Sequence, residues 1–207
     1  MKKLITKILI TTLTVIFNLN TTSAQDYGDL QYALSGYSYR SVGPAFMSGR
    51  IADIAIDSNN ENVWYVAVGS GGVWKTKNAG TTWMPLTDNM PFYSTGSVTI
   101  DPNDSSRIWV GTGENVAGRH VGIGHGIYLS KDSGSTWDNM GLKKSEHISK
   151  IIVHPDNSDI IWVASQGPLW NSGGDRGLFM SNDGGNTWSN KLYVNEWTGV
   201  TDIIIDP

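Results

Sequence analysis

The sequence contains no cysteine. That excludes a disulfide framework, a thiol nucleophile, a cysteine-bound zinc and a lipid-modified N-terminal cysteine. Charge is scarce too. Only 16% of residues are Asp, Glu, Lys or Arg, and the formal net charge is −4. An acidic chain without a basic stripe is a poor fit to nucleic acid, whose phosphates reward clustered Lys and Arg. No apolar stretch approaches the roughly 20 residues that span a bilayer. Nor is an apolar helical period sustained over about 11 residues, which argues against amphipathic helices. What is abundant is glycine and tryptophan, 24 and 9 in 207 residues. That balance predicts many short strands joined by tight turns.

The first residues stand apart. Lys2, Lys3 and Lys7 precede the apolar run ILITTLTVIF, and Thr22-Ser23-Ala24 supplies small residues. A basic start, a short apolar run and a small-residue boundary describe a secretory signal peptide, residues 1–24, cut after Ala24. The run is only about half a membrane span. The mature chain is therefore expected outside the cytoplasm, secreted or in the cell envelope, with no transmembrane segment. Export removes three of the 15 basic residues and none of the 19 acidic ones.

The rest of the chain repeats. SKDSGSTW at 130–137 returns 51 residues later as SNDGGNTW at 181–188, and a third copy, TKNAGTTW, lies at 76–83. Around these copies the units align. The strand-end positions Asp57, Asp101, His154 and Asp206 correspond, as do Trp64, Trp109 and Trp162, and then Trp83, Trp137 and Trp188. Each unit reads as four strands. The first is short and apolar enough to be buried on both faces. The second is aromatic and β-branched, as in VWYVAV and IIWVAS. A third follows, and the octapeptide turns the chain into a fourth, polar strand.

The octapeptide reads as a structural turn. Gly80, Gly134 and Gly185 can take the positive φ that a tight hairpin needs. Asp132, Asp183 and their counterpart Asn78 can hydrogen-bond turn amides. Trp83, Trp137 and Trp188 offer large apolar bodies, expected to be buried between sheets.

Four-stranded units at a period of roughly 40 to 50 residues point to an all-β fold, a β-propeller of four-stranded blades. The motif S-x-D-x-G-x-T-W is similar to the Asp box of the BNR repeat, and from about residue 40 the chain resembles the sialidase-like superfamily. The phrasing GRIADIAID…GGVWKT…GTTW is nearest to its sortilin/VPS10-type and xyloglucanase-like branch. The resemblance implies blades at about 46–90, 91–142 and 143–195, with the start of another at 196–207. Residues 25–45 read as an N-terminal strap or a closing strand. Three blades and a stub cannot close a ring of four to eight, so the expectation is a piece of a longer protein.

In such a fold the octapeptide turns share one face with the first-to-second-strand turns. The opposite face carries the second-to-third-strand loops and the links between blades. Those loops vary: GSGG in the first unit, GENVAGRHVGIGHG in the second, QGPLWNSGGDRG in the third. Variable loops on a fixed scaffold are where binding residues collect. The candidate binding residues are Arg50, Glu114, Arg119, His120, His125, Trp170, Arg176 and Trp197. The links add Phe92, Tyr93, Glu146, His147 and Glu196. Trp170 and Trp197 lie outside the repeated Trp positions, and suit either stacking on a ligand or capping a loop. His120 and His125 would need a third ligand, such as Glu114 or His147, to hold a metal. No metal or other cofactor is expected.

Two functions compete. One is a non-catalytic module that binds a protein or a polysaccharide through its top-face loops. The other is a glycoside hydrolase, xyloglucanase- or sialidase-like, which needs two carboxylates. Glu114 and Asp175 are the acids available, and others would have to come from further blades. The xyloglucanase resemblance implies a catalytic Asp just before the paired glycines of the first unit. Gly69-Ser70-Gly71-Gly72 has none there.

Overall fold

A computed structural model describes residues 50–115 and 121–206, together with Tyr32, Ser35 and Gly36. The signal-peptide segment, the 25–45 segment, Arg119 and His120 lie outside the described residues.

Among the described residues, twelve strands fall into three antiparallel sheets of four. The first blade is β1 (Ile51–Ile56), β2 (Trp64–Val68), β3 (Gly72–Thr76) and β4 (Met84–Pro85), paired in that order. The second is β5 (Thr95–Asp101), β6 (Asp104–Thr112), β7 (Ile127–Ser130) and β8 (Asp138–Asn139). The third is β9 (Ile148–His154), β10 (Asn157–Ser165), β11 (Gly177–Ser181) and β12 (Ser189–Leu192). The all-β expectation of one four-stranded meander per repeat holds, and β1, β5 and β9 are the inner strands of successive blades.

The apolar side chains collect between blades. Tyr65, Ala67 and Val73 of the first sheet pack with Val98, Ile108, Val110 and Tyr128 of the second. Trp109, Ile127 and Leu129 of the second sheet pack with Ile148, Ile151, Val153, Ile161, Val163 and Phe179 of the third. The octapeptide tryptophans close these gaps. Trp137 packs on the first cluster, and Trp188 meets Trp109 edge-on with its Nε1–H donated to the Met140 carbonyl at 2.7 Å. So the tryptophan of one blade covers the core that its blade shares with the preceding one.

That arrangement corrects two expectations. Trp137 and Trp188 are only half-buried, and Trp83 is exposed. The indole wedges edge-in and leaves one side in water, and Trp83 has no preceding blade among the described residues to wedge against. Likewise β5 and β9 are mostly buried, whereas Ile51, Ile54 and Ile56 of β1 are exposed. β1 has no preceding blade among the described residues to cover it, whereas β5 lies between two blades and β9 packs on the second blade and meets the segment at Val200.

The turn chemistry repeats atom for atom. Asp132 Oδ1 accepts from the Thr136 amide and the Ser130 hydroxyl, and Oδ2 accepts from the Thr136 hydroxyl. Asp183 does the same with Thr187 and Ser181. Asn78 keeps the amide contact to Thr82 through its single oxygen. The Thr136 and Thr187 hydroxyl bonds, reinforced by the amides, hold both aspartates down to a pKa of about 2. The folded form therefore stays ionised where the unfolded chain, near 3.8, takes up protons. The turns' contribution is present above that value and is lost as pH falls towards 2. In an acid denaturation series, Asp132→Asn with Asp183→Asn is expected to flatten the stability loss in that window. An unchanged slope would mean the turns do not carry it.

Inner-strand ends use the same device. Asp57 caps the Asn59 amide and Asp101 the Asn103 amide, both at 2.9 Å. In the third blade His154 substitutes, accepting the Asp156 amide on Nδ1 at 3.1 Å.

Candidate functional site

Antiparallel pairing puts the 69–71 and 166–176 crossings, and residues 113–115 and 121–126 of the second, at one end of the sheets with the links 86–94, 140–147 and 193–199. The octapeptide turns are at the other end. Polar contacts weld this end across blades. The Thr95 hydroxyl donates to the Val68 carbonyl at 2.7 Å, the Gly124 amide to Glu146 O at 2.8 Å, and Gln166 Nε2 to Asn115 O at 2.8 Å.

Glu114 lies at the centre of this weld. It begins the 113–126 crossing and is 1% exposed. One carboxylate oxygen takes the Arg50 guanidinium and the other the Ser70 hydroxyl, both from the first blade. Its carbonyl meets His147 Nδ1 from the third blade at 2.9 Å. Glu114 thus joins three blades. Glu114 is therefore buried and paired within the loop face, where the sequence suggested a surface position. Arg50 is different: its side chain is 55% exposed, so one side of the guanidinium pairs with Glu114 and the other faces solvent.

His147 is buried, and burial lowers its pKa, against a smaller opposing pull from Glu146. A neutral buried imidazole costs stability once the unfolded chain protonates at about 6.5. Melting temperature is expected to fall as pH drops below that value, and His147→Gln should remove most of that dependence. An equal pH dependence in the variant would place its origin elsewhere.

Arg176 was expected at the surface. It is 4% exposed, and its guanidinium points inward. Nη1 donates to the carbonyls of Gln166 at 2.7 Å and Trp197 at 3.2 Å, Nη2 to those of Pro168 and Asn171, and Nε to Gly173 at 3.2 Å. Asp175 is partly buried and caps the Lys144 amide at 2.9 Å. The two tryptophans outside the repeat project outward, Trp170 at 73% and Trp197 at 63% exposure. Tyr93 and Tyr193 are also exposed, and Phe92 is in the core against Tyr128. His125 is exposed, with its amide held by Thr112. Tyr93 borders a cleft with Thr87, Asp88 and Met90.

Sequence reasoning missed Ser70, Asn115, Gln166 and Lys144. Ser70 works through its hydroxyl, Gln166 through its side-chain amide, and Asn115 and Lys144 through their backbone, and the residue type alone announces no such role. Among the described residues no group of three or more His, Asp or Glu is placed to hold a metal ion. No helix among them is long and apolar enough to cross a membrane.

No family model matches the chain. It is similar to an oligoxyloglucan-reducing end-specific xyloglucanase of Emericella nidulans, 26% identical over 155 residues, 69% of this chain and 18% of that protein. It is also similar to a xyloglucanase of Hypocrea jecorina, 27% identical over 189 residues, 84% of this chain and 21% of that one. The chain spans about a fifth of the length of these curated relatives. Among solved structures, an ancestral GH74 enzyme superposes with a TM-score of 0.59 at 21% identity, covering 75% of this chain and 20% of that one. The GH74 enzyme of Niastella koreensis superposes with a TM-score of 0.51 at 26% identity, covering 66% of this chain and 20% of that one. The chain is a β-propeller related to glycoside hydrolases.

Proposed function

We propose that this chain is part of an extracytoplasmic β-propeller that grips a polysaccharide of the β-glucan class with its loop face. The observation that carries it is the pair of exposed indoles, Trp170 and Trp197, on loops tied together beneath the surface. A flat, rigid aromatic face stacks on the C–H face of a pyranose ring at little entropic cost. The relatives' names supply the choice of glycan over protein and of xyloglucan as the first polymer to try.

Hydrolysis is the second reading, favoured by the same names. Within the described residues the chemistry is incomplete. Glu114 is sequestered by Arg50 and Ser70, Asp175 caps an amide, and the 69–72 crossing carries no acid. A catalytic pair would have to draw on carboxylates of further blades.

The test is affinity electrophoresis of the full-length protein in xyloglucan gels, with a reducing-end assay alongside. Retardation is expected, and Trp170→Ala with Trp197→Ala should weaken it by about tenfold or more. Unretarded parent protein, or a double variant that binds as well as the parent, would overturn the binding reading. Reducing ends released by the parent would establish the hydrolase reading.

A further inference from the structure

We propose that Arg176 is the positioning residue of this face, fixing the separation of Trp170 and Trp197. The proposal rests on the glycan-binding reading for its consequence, although not for its geometry.

A buried guanidinium ordinarily demands a carboxylate. Among the described residues Arg176 has none within ion-pair distance. Its partners are five carbonyl oxygens: Gln166, Pro168, Asn171 and Gly173 in one loop, and Trp197 in the link to the next unit. Carbonyl dipoles converging on a planar cation replace the missing anion, and the rigid fork of donors fixes where each carbonyl must sit. The three that matter most flank or belong to the exposed indoles. Pro168 and Asn171 bracket Trp170, and the Trp197 carbonyl is that of the second indole itself.

Backbone bonds anchor the bases of the two segments, Val200 N–H to Ser165 O at 2.9 Å and Asp175 N–H to Lys144 O at 3.1 Å, and leave the tips that carry the indoles to Arg176. Gly173 donates to Glu196 O at 2.8 Å, and otherwise the 193–198 link is exposed throughout. Trp197 and Thr198 amides turn back on Asn195 of the same link. Gly167 gives the guanidinium its room: a Cβ there would lie 3.0 Å from three Arg176 side-chain atoms. Lysine cannot replace this fork, because one ammonium at the end of a flexible stem has three donors and cannot meet five carbonyls from one plane.

The experiment compares Arg176→Lys and Arg176→Met in the full-length protein, each also in a Trp170→Ala, Trp197→Ala background. Amide hydrogen exchange and xyloglucan affinity electrophoresis are the readouts. Faster exchange is expected in 166–174 and 195–199 together, with the β9–β11 amides unchanged in Arg176→Lys. Affinity should fall by about tenfold in Arg176→Lys, and by no further amount when it is added to the double tryptophan variant, since residues acting through one another are not additive. Acceleration in one loop alone, or additive losses, would overturn the proposal. If Arg176→Met fails to fold, Arg176→Lys decides. If the parent ignores xyloglucan, the glycan reading falls and the exchange pattern alone decides whether Arg176 couples the two loops.

Discussion

Trp109→Ala is expected to cost about 3–5 kcal/mol, the range for emptying a large aromatic site in a closed core. Trp109 is fully buried, the largest such side chain among the described residues. Its ring is also the surface on which the next blade rests. Trp188 meets it edge-on at a centroid separation of 6.5 Å, and a Cβ on Gly185 would fall 2.5 Å from its outer carbon. Removing the indole therefore opens a void between blades two and three and leaves the third blade's octapeptide turn without its seat. Equilibrium denaturation with near-ultraviolet circular dichroism checks this. A loss below about 1 kcal/mol would show that the blades collapse onto one another and that the contact is not a fixed one.

Gly113→Ala should be nearly as severe, although it adds only a methyl group. Gly113 has φ of +84°, which an alanine adopts at a cost of about 1–2 kcal/mol. The added Cβ would also be driven into the carbonyl of Glu146. Backbone, not a mobile side chain, is in the way, and forcing it aside costs roughly 1–3 kcal/mol more. The sum is about 2–5 kcal/mol. The damage should be local to the loop face, since Gly113 starts the crossing that carries Glu114, and Glu146 adjoins His147. Hydrogen exchange would show it there first. A variant as stable as its parent would mean that the 113–126 crossing and the 143–147 link are not packed as described.

The blades were legible in the sequence because their causes are local. An alternating aromatic strand, a Pro-Asn turn and an octapeptide with its own hydrogen bonds each act over a few residues and recur in register. The octapeptide aspartates could be assigned to turns from spacing alone, and their contacts to Thr136 and Thr187 are those of a turn. The loop face was less legible. Arg176, Glu114 and His147 carry the residue types of a binding site, and nothing in a one-dimensional string tells a charge aimed at solvent from one aimed at a carbonyl. That distinction is made by partners distant in the chain, 64 residues for Arg50 against Glu114, 33 for Glu114 against His147 and up to 21 for Arg176 against Trp197. Trp170 and Trp197 were visible for the opposite reason: the repeat has no use for them.

The placement of the apolar clusters between sheets has a consequence for how such a chain grows. A row of separate blades has one core fewer than it has blades, and only closure into a ring makes the numbers equal. Gene duplication then adds a blade and a core in one step. The copied segment need not begin where a sheet begins, because any cut through the period regenerates both the strand order and the wedge. Selection can lengthen or shorten the array one unit at a time without passing through an intermediate that has lost its interior.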